Sequence, residues 1–168
     1  MKGNHQQSSV LSALAKEQLV PLTSIDDICA GYSDKKKPFI RFLVEDRHID
    51  GKKIAKTLSN KFGYPYIQLA NFDASLIPEG IRNEKLITKH NALPLFLRGK
   101  VLFVAMSDPT NIDALEEIQF NTGFSTELVL TDEGGLQACI EKVLEDESDA
   151  LDITDIDSEE LSGLEVQE

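Results

Sequence analysis

This chain of 168 residues is short of cysteine, with two, of histidine, with three, and of positive charge, with 17 basic residues against 29 acidic ones, and each shortage removes a class of function. Cys29 and Cys139 stand in unrelated contexts with no Cys-x-x-Cys spacing, so neither a disulfide framework nor a zinc site is expected. Both read as small buried apolar residues. His5, His48 and His90 lie in separate segments without a partner at ligand spacing, which argues against a metal centre, and His48 is expected as a half-buried helix residue. With 17 Lys and Arg against 29 Asp and Glu, the chain lacks the basic face that neutralises nucleic-acid phosphates, and an anionic membrane surface repels it. Residues 1–9 contain no apolar core of a signal peptide, and the most apolar stretch, 92–106, is broken by Arg98, Gly99 and Lys100, so no membrane span is expected. A phosphate loop of the GxxxxGK[ST] form is missing: Gly51-Lys52-Lys53 lacks the upstream glycine, and Gly99-Lys100 runs on into Val101. There is no GxSxG elbow either. No catalytic residue and no metal ligand are assigned.

The acidity is concentrated. Residues 145–168 hold 11 acids and no base, leaving residues 1–144 with 18 acids against 17 bases, a net charge of −1. A near-neutral body thus precedes an acidic linker or tail at 145–168. Leu151, Ile153, Ile156, Leu161, Leu164 and Val166 recur among its acids, which reads either as a solvated linker or as an amphipathic segment that orders on a partner.

Within the body, residues 1–9 read as a disordered lead-in. The spacing of Val10, Leu11, Leu14 and Ala15 predicts a helix that Pro21 ends, and a second helix follows with Ile25, Ile28 and Cys29 inward and Gly31 as its stop. After a charged connector holding Lys35, Lys36 and Lys37, the pattern returns: Phe39, Ile40, Leu43 and Val44, then a helix capped by Asp50 and closed by Gly63. At an offset of 29 the halves match in kind, Leu14 with Leu43, Val20 with Ile49, Ile25 with Ile54. This predicts a helical subdomain over 10–63 made of two degenerate helix-pair repeats. From 64 to 144 the pattern is α+β, with strands expected at 66–69, 92–97, 100–106 and 126–130. The two apolar runs around Arg98-Gly99 read as a β-hairpin. Helices are expected from Pro78 toward Ile87, from Ile112 to Phe120 before Gly123, and after Gly134-Gly135.

Four segments carry a resemblance: Gly63-Tyr64-Pro65-Tyr66-Ile67-Gln68-Leu69, Asn91-Ala92-Leu93-Pro94-Leu95-Phe96, Val104-Ala105-Met106-Ser107-Asp108-Pro109, and Ala114-Leu115-Glu116-Glu117-Ile118 before Thr122-Gly123. Over residues 10–144 the succession resembles the N-terminal domain of secretion and type IV pilus assembly ATPases, the GspE/PilB/MshE family. The resemblance implies a non-catalytic module that precedes a hexameric ATP-binding motor, is cytoplasmic, and is held at the inner membrane through the pilus machinery. It implies partners of three kinds: a PilZ-type regulator, the inner-membrane assembly platform, and the motor domain itself. For docking, the exposed apolar positions expected on the helical repeat are Leu22, Phe39 and Phe42. In the MshE-type version of the domain, tandem repeats bind cyclic di-GMP, each opening on Arg-Leu-Gly and closing on Gln. Here the triplets read Val10-Leu11-Ser12 and Pro38-Phe39-Ile40, and the closing positions hold Tyr32 and Lys61. Arg supplies a planar cation for phosphate or guanine, and Gly admits close backbone approach, so their loss favours docking over nucleotide sensing. The nucleotide-binding alternative rests on Leu11, Leu14, Arg41, Leu43 and Ile54, with Lys35, Lys36 and Lys37 beside Arg41 as an anion pocket.

Overall fold

Helix α1 (Lys2–Lys16) and helix α3 (Phe39–Glu45) end by the same device. After α1, Gln18 adopts φ 58° and the Leu19 N–H donates to the Leu14 carbonyl at 3.0 Å; after α3, His48 adopts φ 56° and the Ile49 N–H donates to the Leu43 carbonyl at 3.1 Å. A left-handed residue that turns the chain back onto the last helical carbonyls is a common helix stop. The acceptors are 29 residues apart and the left-handed residues 30, so the second copy carries one extra residue. His48 is therefore an exposed terminator and not the half-buried helix residue expected. Each helix is followed by its pair: α2 (Ile25–Tyr32) after a 3₁₀ turn at Leu22–Ser24, and α4 (Gly51–Phe62) after Asp50. Helix α2 runs through Gly31, the expected stop, to Tyr32. Asp50 caps α4 by accepting from the Lys52 and Lys53 N–H groups at 2.9 and 3.3 Å. Gly63, at φ 77°, closes it with a 2.9 Å bond to the Ser59 carbonyl.

The computed structural model describes residues 2–32 and 36–161. After two 3₁₀ turns, Ala74–Leu76 and Glu79–Ile81, come α5 (Glu84–His90), β1 (Ala92–Arg98), β2 (Val101–Met106), α6 (Ile112–Thr122), β3 (Ser125–Leu130) and α7 (Glu133–Leu161). Strand β1 pairs antiparallel with β2 through the expected hairpin, with a register irregularity between Pro94 and Phe96, where proline has no N–H to give the ladder. Strand β3 pairs parallel with β2, and α6 is the crossover between them. The strand expected at 66–69 contributes only an isolated bridge, Tyr66 to Leu130. The helix expected from Pro78 is a 3₁₀ turn, and α5 begins at Glu84, where the Asn83 side chain accepts from the Leu86 N–H at 3.2 Å.

Alternation along β2 gives the sheet two apolar faces. Leu102, Val104 and Met106 join Leu11, Leu14, Leu43, Ile54 and Leu58 in one cluster, whereas Ala105 joins Leu93, Leu95, Leu136, Cys139 and Val143 of α7 in a second. The helical repeats and the sheet thus share a core across the boundary expected at residue 63. The lead-in expected over 1–9 is helical from Lys2 onward. The acidic tail continues α7 as helix to Leu161; Leu164 and Val166 lie outside the described residues, as does Lys35. No described helix is long and apolar enough to cross a membrane.

Candidate functional site

Where the helical repeats meet the sheet, a cleft of about 530 Å³ opens between α1, the connector into α3, the end of α5 and the turn after β2. Its wall is rich in cations: Lys36 and Lys37 from the connector, Arg41 from α3, Lys89 and His90 from α5. Most are already paired. Lys37 Nζ lies 2.8 Å from both Glu45 and Asp46, which hold its ammonium in the charged form above the usual lysine range. Lys89 and His90 converge on Glu117, at 2.9 and 2.5 Å, and keep that carboxyl below its ordinary value, Lys89 contributing most. Lys36 enters no ion pair among the described residues.

Arg41 is drawn inward. Its Nε donates to Glu133 Oε1 at 3.0 Å and its Nη2 to Asn91 Oδ1 at 2.9 Å. Glu133 is 1% exposed and also accepts from Asn91 Nδ2, at 3.0 Å to each oxygen, and from the Ser107 hydroxyl. A buried carboxylate is tolerated when its charge is matched and its lone pairs are filled, as these three partners do. The network joins α3 to the start of α7, the left-handed cap of α5 at Asn91 and the residue after β2.

Asp108 is the acidic group of the cleft. Its Oδ1 accepts from the Thr110 N–H at 2.9 Å and the Thr110 hydroxyl at 2.6 Å, holding the Asp108-Pro109-Thr110-Asn111 turn that leads into α6. Burial raises its carboxyl above the usual range, against the lowering effect of the Thr110 bonds. Tyr32 closes one side. Its hydroxyl donates to the Lys37 carbonyl at 3.0 Å, and burial, then the Asp108 charge, push its phenol up. Cations, a carboxylate acceptor and an aromatic ring can recognise an anionic or heterocyclic ligand. Among the described residues no group of three or more His, Cys, Asp or Glu is placed to hold a metal ion.

The predicted site residues separate. Leu11, Leu14, Leu43 and Ile54 are buried in the shared core, and drawing any one out to a ligand costs about 2 kcal/mol of apolar burial. Of that set Arg41 alone reaches the cleft, and Lys36 and Lys37 line it beside Arg41. Leu22 is 74% exposed on its 3₁₀ turn. Phe39 and Phe42, expected on the surface, are 5% and 2% exposed and do not offer a docking face. They are held inside by Tyr32, whose ring centroid lies 4.9 Å from that of Phe39 and 5.4 Å from that of Phe42, and the Arg47 guanidinium caps Phe42 at 5.6 Å. Asp108, Lys89 and His90 escaped the sequence reading. Asp108-Pro109-Thr110 has the chemistry of a turn and nothing more in sequence, and nothing in the local pattern of Lys89-His90 points to the cleft. Phe120, 89% exposed on α6, was missed because its spacing fits a helix face without saying which face is buried.

The profile of the MshEN domain family matches residues 62–150. The type IV pilus assembly ATPase PilB of Pseudomonas aeruginosa is 32% identical over 161 residues, 93% of this chain and 28% of that protein. The chain spans about a quarter of the length of the curated relatives it matches. Two solved structures share the fold. MshE with cdg (cyclic di-GMP) is similar at a TM-score of 0.60 and 19% identity over 80% of this chain and 97% of that one. The N-terminal domain of XpsE is similar at 0.65 and 16% over 81% and 94%.

Proposed function

Because this chain belongs to the MshEN domain family, we propose that it is a non-catalytic docking and regulatory domain of a type IV pilus assembly motor ATPase. It couples the motor to pilus-machinery proteins, a PilZ-type regulator or the inner-membrane assembly platform, from the cytoplasmic side. One observation carries this reading: Leu22 and Phe120 stand on the surface, while the leucines and isoleucine that a nucleotide would need are sealed in the core. A large apolar side chain held at the surface can anchor a protein contact when a partner pocket desolvates it. Leu22→Asp and Phe120→Asp are each expected to leave the circular dichroism spectrum unchanged, and at least one to abolish co-purification with the partner. Full binding by both variants sinks this placement.

A second reading, cyclic di-GMP sensing, is favoured by the cleft. Its size suits a small ligand, Lys36, unpaired among the described residues, suits a phosphate, and a carboxylate such as Asp108 suits the N–H edge of guanine. The structural neighbour MshE, seen with cyclic di-GMP, is consistent with it. Calorimetric titration of the purified chain with cyclic di-GMP separates the two. Binding in the micromolar range or tighter makes the domain a sensor, and absence of heat leaves docking.

A further inference from the structure

Lys52, Lys53, Lys56 and Lys61 are exposed along α4, whose other side, Ile54, Ala55 and Leu58, is anchored in the core. The first three fall at positions i, i+1 and i+4 and project from one side of the helix. Among the described residues none of these four ammonium groups enters an ion pair. The nearest carboxylate in sequence, Asp50, is occupied with the backbone N–H groups of Lys52 and Lys53. Lys37, Arg47 and Lys89 each hold a carboxylate, while Lys16, Lys36, Lys85 and Lys100, like these four, enter no ion pair among the described residues; α4 differs in placing three such cations on one side of one helix. In a chain with 29 acids and 17 bases, a cationic face left without acids is a vacancy for an anionic partner.

The chain itself carries the complement, the 11 acids without a base at 145–168. Geometry places its acids from Asp149 onward beyond reach of Lys52, Lys53 and Lys56 of the same molecule. The base of α7 lies against the start of α4: a Cβ on Gly51 would stand 3.9 Å from the Glu133 nitrogen. At 1.5 Å per residue, Asp149 is about 24 Å further along α7, whereas Lys56 is only about 8 Å along α4. Helix α7 is continuous from Glu133 to Leu161 and does not fold back. We infer that the lysine face of α4 is a docking site for the acidic half of α7 from a second copy of this chain. The contact is heterologous, α4 of one copy to α7 of the next, and such contacts build rings or open chains.

Sedimentation velocity of the full chain tests this. Association that grows with protein concentration is expected at about 0.02 M salt and is lost at about 0.5 M, where the Debye length falls to a few ångströms. Lys52→Glu/Lys53→Glu/Lys56→Glu is expected to weaken association about tenfold or more, as is Asp149→Lys/Asp152→Lys/Asp155→Lys. Mixing the two reversed variants is expected to restore a complex that neither forms alone, which a folding defect in either would prevent. A chain that stays monomeric at low salt, or an α4 variant that associates like the native chain, overturns the inference. So does a monomer whose α4 lysines instead bind phosphatidylglycerol vesicles, which would assign the face to lipid.

Discussion

Asp108 shows how much a single side chain can carry without announcing itself in sequence. As a turn residue it is predictable, since Asp before Pro and Thr readily accepts from the N–H two residues on. Its half-buried place in the cleft is not, because the other walls come from α1 and the connector, distant in sequence. The sign of its effect follows. Its folded carboxyl is raised above the unfolded value, so ionisation opposes folding at neutral pH, and the penalty is relieved as pH falls through the folded value. Asp108→Asn retains the acceptor for Thr110 and removes the charge, and is expected to be neutral or stabilising in urea unfolding at pH 7, with the advantage shrinking in acid. Destabilisation at pH 7 that persists in acid would show that the carboxylate is solvated. Phe39 and Phe42 fail in the opposite direction. Their apolar character was evident, but burial was decided by Tyr32 and Arg47, which a reading of the repeat alone does not bring together.

Between elements, what local chemistry controls was readable and what distance controls was not. The Asp50 cap, the Gly63 and Gly123 stops and the Arg98-Gly99 hairpin all depend on residues within a few positions, and each is found where expected. The 66–69 segment has strand composition yet only one bridge, because pairing needs a partner strand, and β3 meets it only at Tyr66. Arg41 is the sharpest case: proposed as a ligand group, it holds Glu133, 92 residues away, and so joins α3 to α7. Arg41→Ala leaves a carboxylate at 1% exposure without its cation and is expected to cost about 3 kcal/mol in denaturant unfolding at pH 7. The double variant Arg41→Ala/Glu133→Gln should recover part of that loss, and an equal or greater loss in the double variant would show that the pair is not the cause.

At the scale of the whole molecule, the division at residue 63 is one of composition and not of packing. Leu11, Leu43 and Ile54 from the helices and Leu102, Val104 and Leu128 from the sheet belong to one cluster, so neither half keeps its core without the other. Urea unfolding followed by far-ultraviolet circular dichroism and by tyrosine fluorescence is expected to give coincident transitions, with Tyr32 reporting on the helices and Tyr66 on the sheet edge. Two separated midpoints would mean that the halves fold independently. The α+β class was evident from the change of pattern after Gly63; the shared core was not, because apolar periodicity marks which residues are inside without marking what they face. Helix α7 draws a mechanical consequence from this architecture. Its first residue is clamped by Arg41, Asn91 and Ser107 at the floor of the cleft, and its 29 residues extend about 43 Å. Through Leu136, Cys139 and Val143 its first turns are set in the core, so a tilt of that packed base by about 10° sweeps Leu161, about 27 Å beyond Val143, through about 5 Å, a displacement that a coupled machine can read.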